Sequence, residues 1–114
     1  MKVLVLWKAL VSETYHKRFV ELAKFKDVEI TLVMPTKWDN TKLEKEYCSE
    51  YKTIPRRIAL NGFNHFHWYP GLAKIIRQVR PDILHIEEEH YSIVTYQAIR
   101  LAKKYNIKCM FVSL

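Results

Sequence analysis

Glycine is nearly missing from this chain: 114 residues contain two, Gly62 and Gly71. Residues 2–7 form an apolar opening run, and the loop behind it, Lys8-Ala9-Leu10-Val11-Ser12, has no glycine at all. Both G-x-G-x-x-G and G-x-x-x-x-G-K-[ST] are therefore absent, which excludes a dinucleotide site or a P-loop of the ordinary kind. Cysteine is almost as scarce. Cys48 and Cys109 stand far apart without a C-x-x-C pair, so neither a disulfide framework nor a cysteine zinc site is written here. The expectation is two reduced thiols, Cys48 near the surface and Cys109 buried in a strand. No signature of a nucleophilic hydrolase appears, such as G-x-S-x-G.

Long apolar runs are missing too. The opening run stops at Lys8, far short of the roughly 20 residues that a bilayer span needs. It is also too short, with no small-residue cleavage site behind it, to read as a secretory signal. The expected location is cytoplasmic, with peripheral contact at the inner membrane face as an extension. Acidic residues are absent from 51 to 81, a stretch carrying Lys52, Arg56, Arg57, Lys74, Arg77 and Arg80. After Glu89 the bases Arg100, Lys103, Lys104 and Lys108 again stand without acids, and the net charge is +7. Such surfaces attract phosphates, anionic lipid headgroups or nucleic acid, or serve simply as solvated helix faces. Nucleic acid is the weaker partner, because the RNP pattern is absent and the aromatics at 63–69 precede an amphipathic helix that packs some of them.

What is present alternates between two periods. Residues 2–7 and 28–34 are β-branched and leucine-rich, as buried parallel strands are. Between them a helix is expected to about residue 26, capped by Ser12, with Phe19, Leu22 and Ala23 on one face. Residues 43–47 suggest a short helix, 53–60 a weaker third strand, and Asn61-Gly62 a turn. Pro70 is expected as the first residue of a helix whose Leu72, Ile75, Ile76 and Val79 share a face. Residues 83–86 read as the fourth strand. The helix after it carries Val94, Ala98, Leu101 and Ala102 and ends at Asn106, before a fifth strand over 107–114. This β-α-β-β-α-β-α-β order predicts an α/β, Rossmann-like domain: an open, mostly parallel sheet of about five strands with helices on both faces. Because the chain stops inside an apolar strand, the expectation is the front part of a larger enzyme, one domain spanning 1–114.

In such a sheet ligands bind at the carboxyl ends of the strands. Those ends are the loop at 8–12 and the acidic run Glu87-Glu88-Glu89-His90-Tyr91-Ser92. Three adjacent carboxylates repel, so at least one should be solvated or paired with a base. At a cleft, carboxylates accept hydrogen bonds from sugar hydroxyls or act as acid or base; at a helix start they also simply favour the dipole. His65-Phe66-His67 has no acid beside it in sequence, so metal is not expected there. His85 reads as a satisfied core residue.

Residues Arg80-Pro81-Asp82-Ile83-Leu84-His85-Ile86-Glu87-Glu88-Glu89-His90-Tyr91-Ser92 resemble the PDIxHxEEExYS segment of retaining glycosyltransferases of the GT-B fold, family 4. The opening run, the basic stretch His16-Lys17-Arg18-Phe19 before Glu21-Leu22-Ala23, and the segment 28–35 followed by Trp38 are similar as well. The chain departs from the pattern in having no glycine after the first strand and in His90, where proline is common. The resemblance covers the amino-terminal, acceptor-side domain of such enzymes. It implies transfer of a sugar from a nucleotide sugar to an acceptor hydroxyl with retention, and no metal or other cofactor. The nucleotide-sugar domain with its E-x7-E motif would lie elsewhere, so this part alone is expected to be inactive. Lys8, Ser12, His16, Glu88, Glu89 and Tyr91 are the expected substrate-binding positions, with a sugar or lipid-linked sugar as the acceptor. The alternatives are a stand-alone flavodoxin-like binding or signalling domain and a nucleic-acid module.

Overall fold

The computed structural model describes residues 1–11, 16–25, 27–38, 41–42, 51–62, 66–88 and 92–111. Five strands form one sheet: β1 (Lys2–Leu6), β2 (Glu29–Pro35), β5 (Lys52–Arg56), β6 (Ile83–Ile86) and β7 (Lys108–Phe111). They lie in the order β5-β2-β1-β6-β7, and every neighbouring pair is parallel. The two-residue strands β3 (Lys37–Trp38) and β4 (Thr41–Lys42) pair antiparallel beside it. The fold is α/β and Rossmann-like. Consecutive strands run outward from β1 in one direction and then from β6 in the other, which opens a crevice between the carboxyl ends of β1 and β6.

Side-chain alternation sorts the sheet into two cores. Leu4, Leu6, Val33, Leu84 and Ile86 point to one face and pack with Leu72, Ile75 and Ile76 of α2 (Leu72–Val79) and Val94, Ala98 and Ala102 of α3 (Ile93–Lys104). Val5, Ile30, Leu32 and Met34 point to the other face, toward Phe19 of α1 (Lys17–Ala23). The period of two in the strands and of 3.6 in the helices is thus the physical reason for a three-layer stack. α1 is shorter than the spacing predicts. Leu22 is 42% exposed rather than packed, because beyond α1 this face of the sheet is open. A hollow of about 250 Å³ remains there, lined by Leu22, Ile83 and Met110 among others.

Several boundaries differ for local reasons. α2 begins at Leu72, not at Pro70, because Gly71 caps it at φ +83, outside helical geometry. A β-carbon at Gly71 would meet nothing within 4 Å, so the positive φ rather than space calls for glycine. The third main strand ends at Arg56, where the chain turns away and Ala59 bridges Trp68 instead. Pro35 belongs to β2, as its last residue, where a missing N–H does least harm. α3 is capped by Ser92, whose hydroxyl accepts the Thr95 N–H at 3.4 Å, and Asn106 follows it at φ +55. Cys109 is half-buried on the edge strand β7 rather than fully buried, and burial raises its thiol pKa. The expected helix at 43–47, Cys48 and the end of the last strand at 112–114 lie outside the described residues.

Candidate functional site

Parallel pairing brings the ends of β1 and β6 side by side, and the ladder continues one step further as the Glu87 N–H donates to the Leu6 carbonyl at 3.0 Å. Lys8, one residue beyond β1 after Trp7, starts a 3-10 turn (Lys8–Val11), while Glu87 and Glu88 follow β6. Successive residues of an extended chain face opposite ways, so the two carboxylates enter different surroundings.

Glu88 is held twice by Lys8. The Lys8 backbone N–H donates to Glu88 Oε2 at 3.1 Å, and Lys8 Nζ donates to Oε1 at 2.8 Å. His67 Nε2 lies 3.1 Å from Oε2. A carboxylate only accepts, so this ring nitrogen carries the hydrogen. The Glu88 side chain is 1% exposed and that of Lys8 20%. Trp38 closes the cluster. Its ring lies 5.5 Å from Lys8 Nζ and meets His67 edge-on at 4.8 Å between centroids. Beneath them Tyr69 is fully buried, and among the described residues its hydroxyl has no hydrogen-bond partner. Burial, reinforced by the nearby Glu88 charge, raises the Tyr69 phenol well above its ordinary pKa.

Glu87 turns toward α1. Its Oε1 accepts from the Arg18 guanidinium and from His85 Nε2, the latter at 2.8 Å. Arg18 spreads over the rings of Trp7, 5.3 Å away, and Phe19, 4.9 Å away, so its stem packs while half of the side chain stays in water. Glu87 Oε2 accepts no hydrogen bond among the described residues.

Of the six positions expected from the sequence, Lys8 and Glu88 meet directly. His16 does not join them. It is 1% exposed, with Nε2–H donating to the Leu10 carbonyl at 2.7 Å and Nδ1 paired with the Tyr51 hydroxyl at 2.5 Å, so both ring nitrogens are committed inside the fold. It pins the 3-10 turn to the chain entering β5. Ser12, Glu89 and Tyr91 lie outside the described residues. Trp38, His67, Tyr69 and Arg18 also stand here, a place that their sequence positions alone do not indicate. His85 and Glu87 are two apart on one strand face, a signal available once β6 is assigned. His67 carries no such local signal, since its partner is 21 residues away.

Among the described residues no group of three or more His, Cys, Asp or Glu is placed to hold a metal ion. Among them also, no helix is long and apolar enough to cross a membrane. Compared with family models, curated proteins and solved structures, the chain matches none of them. Chemically, the strand ends hold two fixed carboxylates backed by cations, one on each side of the sheet, with an indole on the Glu88 side. Such a set accepts hydrogen bonds from hydroxyl groups and discriminates against anions.

Proposed function

We propose that this chain is the acceptor-side domain of a retaining glycosyltransferase of the GT-B kind, binding a sugar or lipid-linked sugar at the crevice between β1 and β6. The observation that carries the reading is the pair Glu87 and Glu88, buried and oriented by Arg18 and Lys8 at the switch point of the sheet. A hydroxyl-rich ligand needs acceptors fixed in advance: Glu87, held through Oε1, keeps Oε2 for that role among the described residues, and Glu88 Oε1 accepts only from Lys8 Nζ among them. Trp38 adds an apolar plane for the C–H face of a sugar ring. The sequence after β1 holds no glycine loop of the kind that cradles a pyrophosphate, so in this reading the nucleotide sugar is left to a second α/β unit. Charge developing on the leaving diphosphate would be stabilised there by fixed basic groups and amide dipoles. For a lipid-linked acceptor, the exposed bases Lys74, Arg100, Lys103 and Lys104 on α2 and α3 supply attraction to an anionic membrane.

The test is a titration of the isotope-labelled 114-residue chain with methyl glycosides, followed by amide shifts. Saturable shifts confined to Lys8, Trp38 and residues 87–88 are expected, with no sugar transfer from any nucleotide sugar by the chain alone. Flat titrations with every glycoside, or turnover by this chain, would overturn the reading.

A further inference from the structure

At the opposite, amino edge of the sheet lies a larger cleft, about 770 Å³. Its walls come from the end of α2, the start of β6 and the segment joining α3 to β7, and they include Arg77, Arg80, Asp82, Tyr105 and Lys108. Among the described residues the side chains of Arg80 and Lys108 have neither ion pair nor hydrogen bond. Among the described residues Arg77 donates only to the Tyr105 hydroxyl, at 3.1 Å, a bond that lowers the pKa of that phenol. Asp82 is the one carboxylate of the lining, and its Oδ2 already accepts the Lys2 backbone N–H at 2.8 Å. The helix ends do not cancel this excess. α2 and α3 both finish here, each contributing about half a negative charge. With Asp82 they leave the cleft positive against three full cations.

The backbone adds an independent observation. Arg80 closes α2 at φ +51, with its N–H on the Ile76 carbonyl at 2.8 Å. This is the position where glycine or asparagine is ordinarily found, since a β-carbon there is strained. Asn106 occupies such a conformation across the same cleft, as the rule favours; arginine does not suit it. A strained residue whose long cationic side chain folding leaves unused points to a ligand for that side chain. The floor is apolar, from Ile76, Pro81, Ile83 and Ile107, so the cleft is amphipathic rather than a simple basic surface.

We propose that this cleft binds an organic diphosphate. Arg77, Arg80 and Lys108 hold the phosphoryl groups, and the apolar body lies on Ile76, Ile107 and the Tyr105 ring. Guanidinium forks match phosphoryl oxygens, and three cations suit two linked phosphates better than one. The site is separate from the carboxyl-edge crevice and does not depend on the reading given for it.

Calorimetric titration of the 114-residue chain with ADP and with inorganic pyrophosphate tests this at fixed ionic strength. One saturable site is expected, with ADP tighter than pyrophosphate. Arg80→Gly should weaken ADP roughly tenfold, the loss of one hydrogen-bonded charge, while leaving the melting midpoint unchanged or higher because the strain is relieved. Arg77→Gln and Lys108→Gln should weaken it to a similar degree, and Lys52→Gln, a remote cation, should not. Equal losses from Lys52→Gln, or equal affinity for ADP and pyrophosphate, would reduce the effect to diffuse attraction and overturn the proposal. So would capture by phosphatidic acid vesicles with no binding of either soluble diphosphate.

Discussion

The two edges of one sheet use charge in opposite ways. At the carboxyl edge Glu87 and Glu88 are buried, and each is matched to a base and a histidine. At the amino edge Arg80 and Lys108 line an open cleft without partners among the described residues. The total of +7 conceals this division. Charges that meet inside a fold set its geometry, whereas charges left in a concave surface set what it attracts.

Substitutions can break that contrast, the largest effect first. Glu88→Ala removes the partner of a mostly buried ammonium and a buried imidazole donor. A loss of about 3 kcal/mol is expected, read from the urea midpoint at constant m-value. Glu87→Gln keeps the shape and some hydrogen bonding, and the Arg18 it releases is already half in water. About 1 kcal/mol is expected by the same measurement. If the two losses were equal, the difference in burial between Lys8 and Arg18 would not govern these networks. Lys52→Gln breaks an ion pair to Glu29 whose side chains are 73% and 50% exposed; its cost should be at most about 0.5 kcal/mol and should vanish in high salt.

Tyr69→Phe should be nearly neutral at pH 7, because the hydroxyl it removes has no hydrogen-bond partner among the described residues. Its signature lies at high pH. The folded phenol titrates above its unfolded value of about 10, so the stability linked to it is complete below that pH and is lost as pH rises beyond it. The variant should therefore resist alkaline unfolding better than the parent. An unchanged alkaline limb would remove Tyr69 as its source.

Much of the fold is legible in the sequence. Residues 83–86 and the α2 face Leu72, Ile75, Ile76 and Val79 carry strong periodicity, and the structure uses them as that spacing requires. Legibility fails where one residue overrides a pattern, as Gly71 does in delaying α2, and where a face is left open, as beside Leu22. At the site, Lys8 and Glu88 follow from a topological rule about strand ends. His67 and Trp38 do not, because a loop and the two-residue strand β3 bring them in by long-range packing. His16 shows the converse: its place beside a basic stretch suggests a ligand contact, and the fold spends both its nitrogens on Leu10 and Tyr51.

Adjacent in sequence and facing opposite ways, Glu87 and Glu88 also act as a lock on the alignment of β6. Sliding that strand by one residue would turn Glu87 toward Lys8 and send His85 into the core now filled by Leu84 and Ile86. A mis-threaded sheet would then strand two carboxylates among the wrong neighbours. The charged end of β6 thereby proofreads the assembly of the apolar strand behind it.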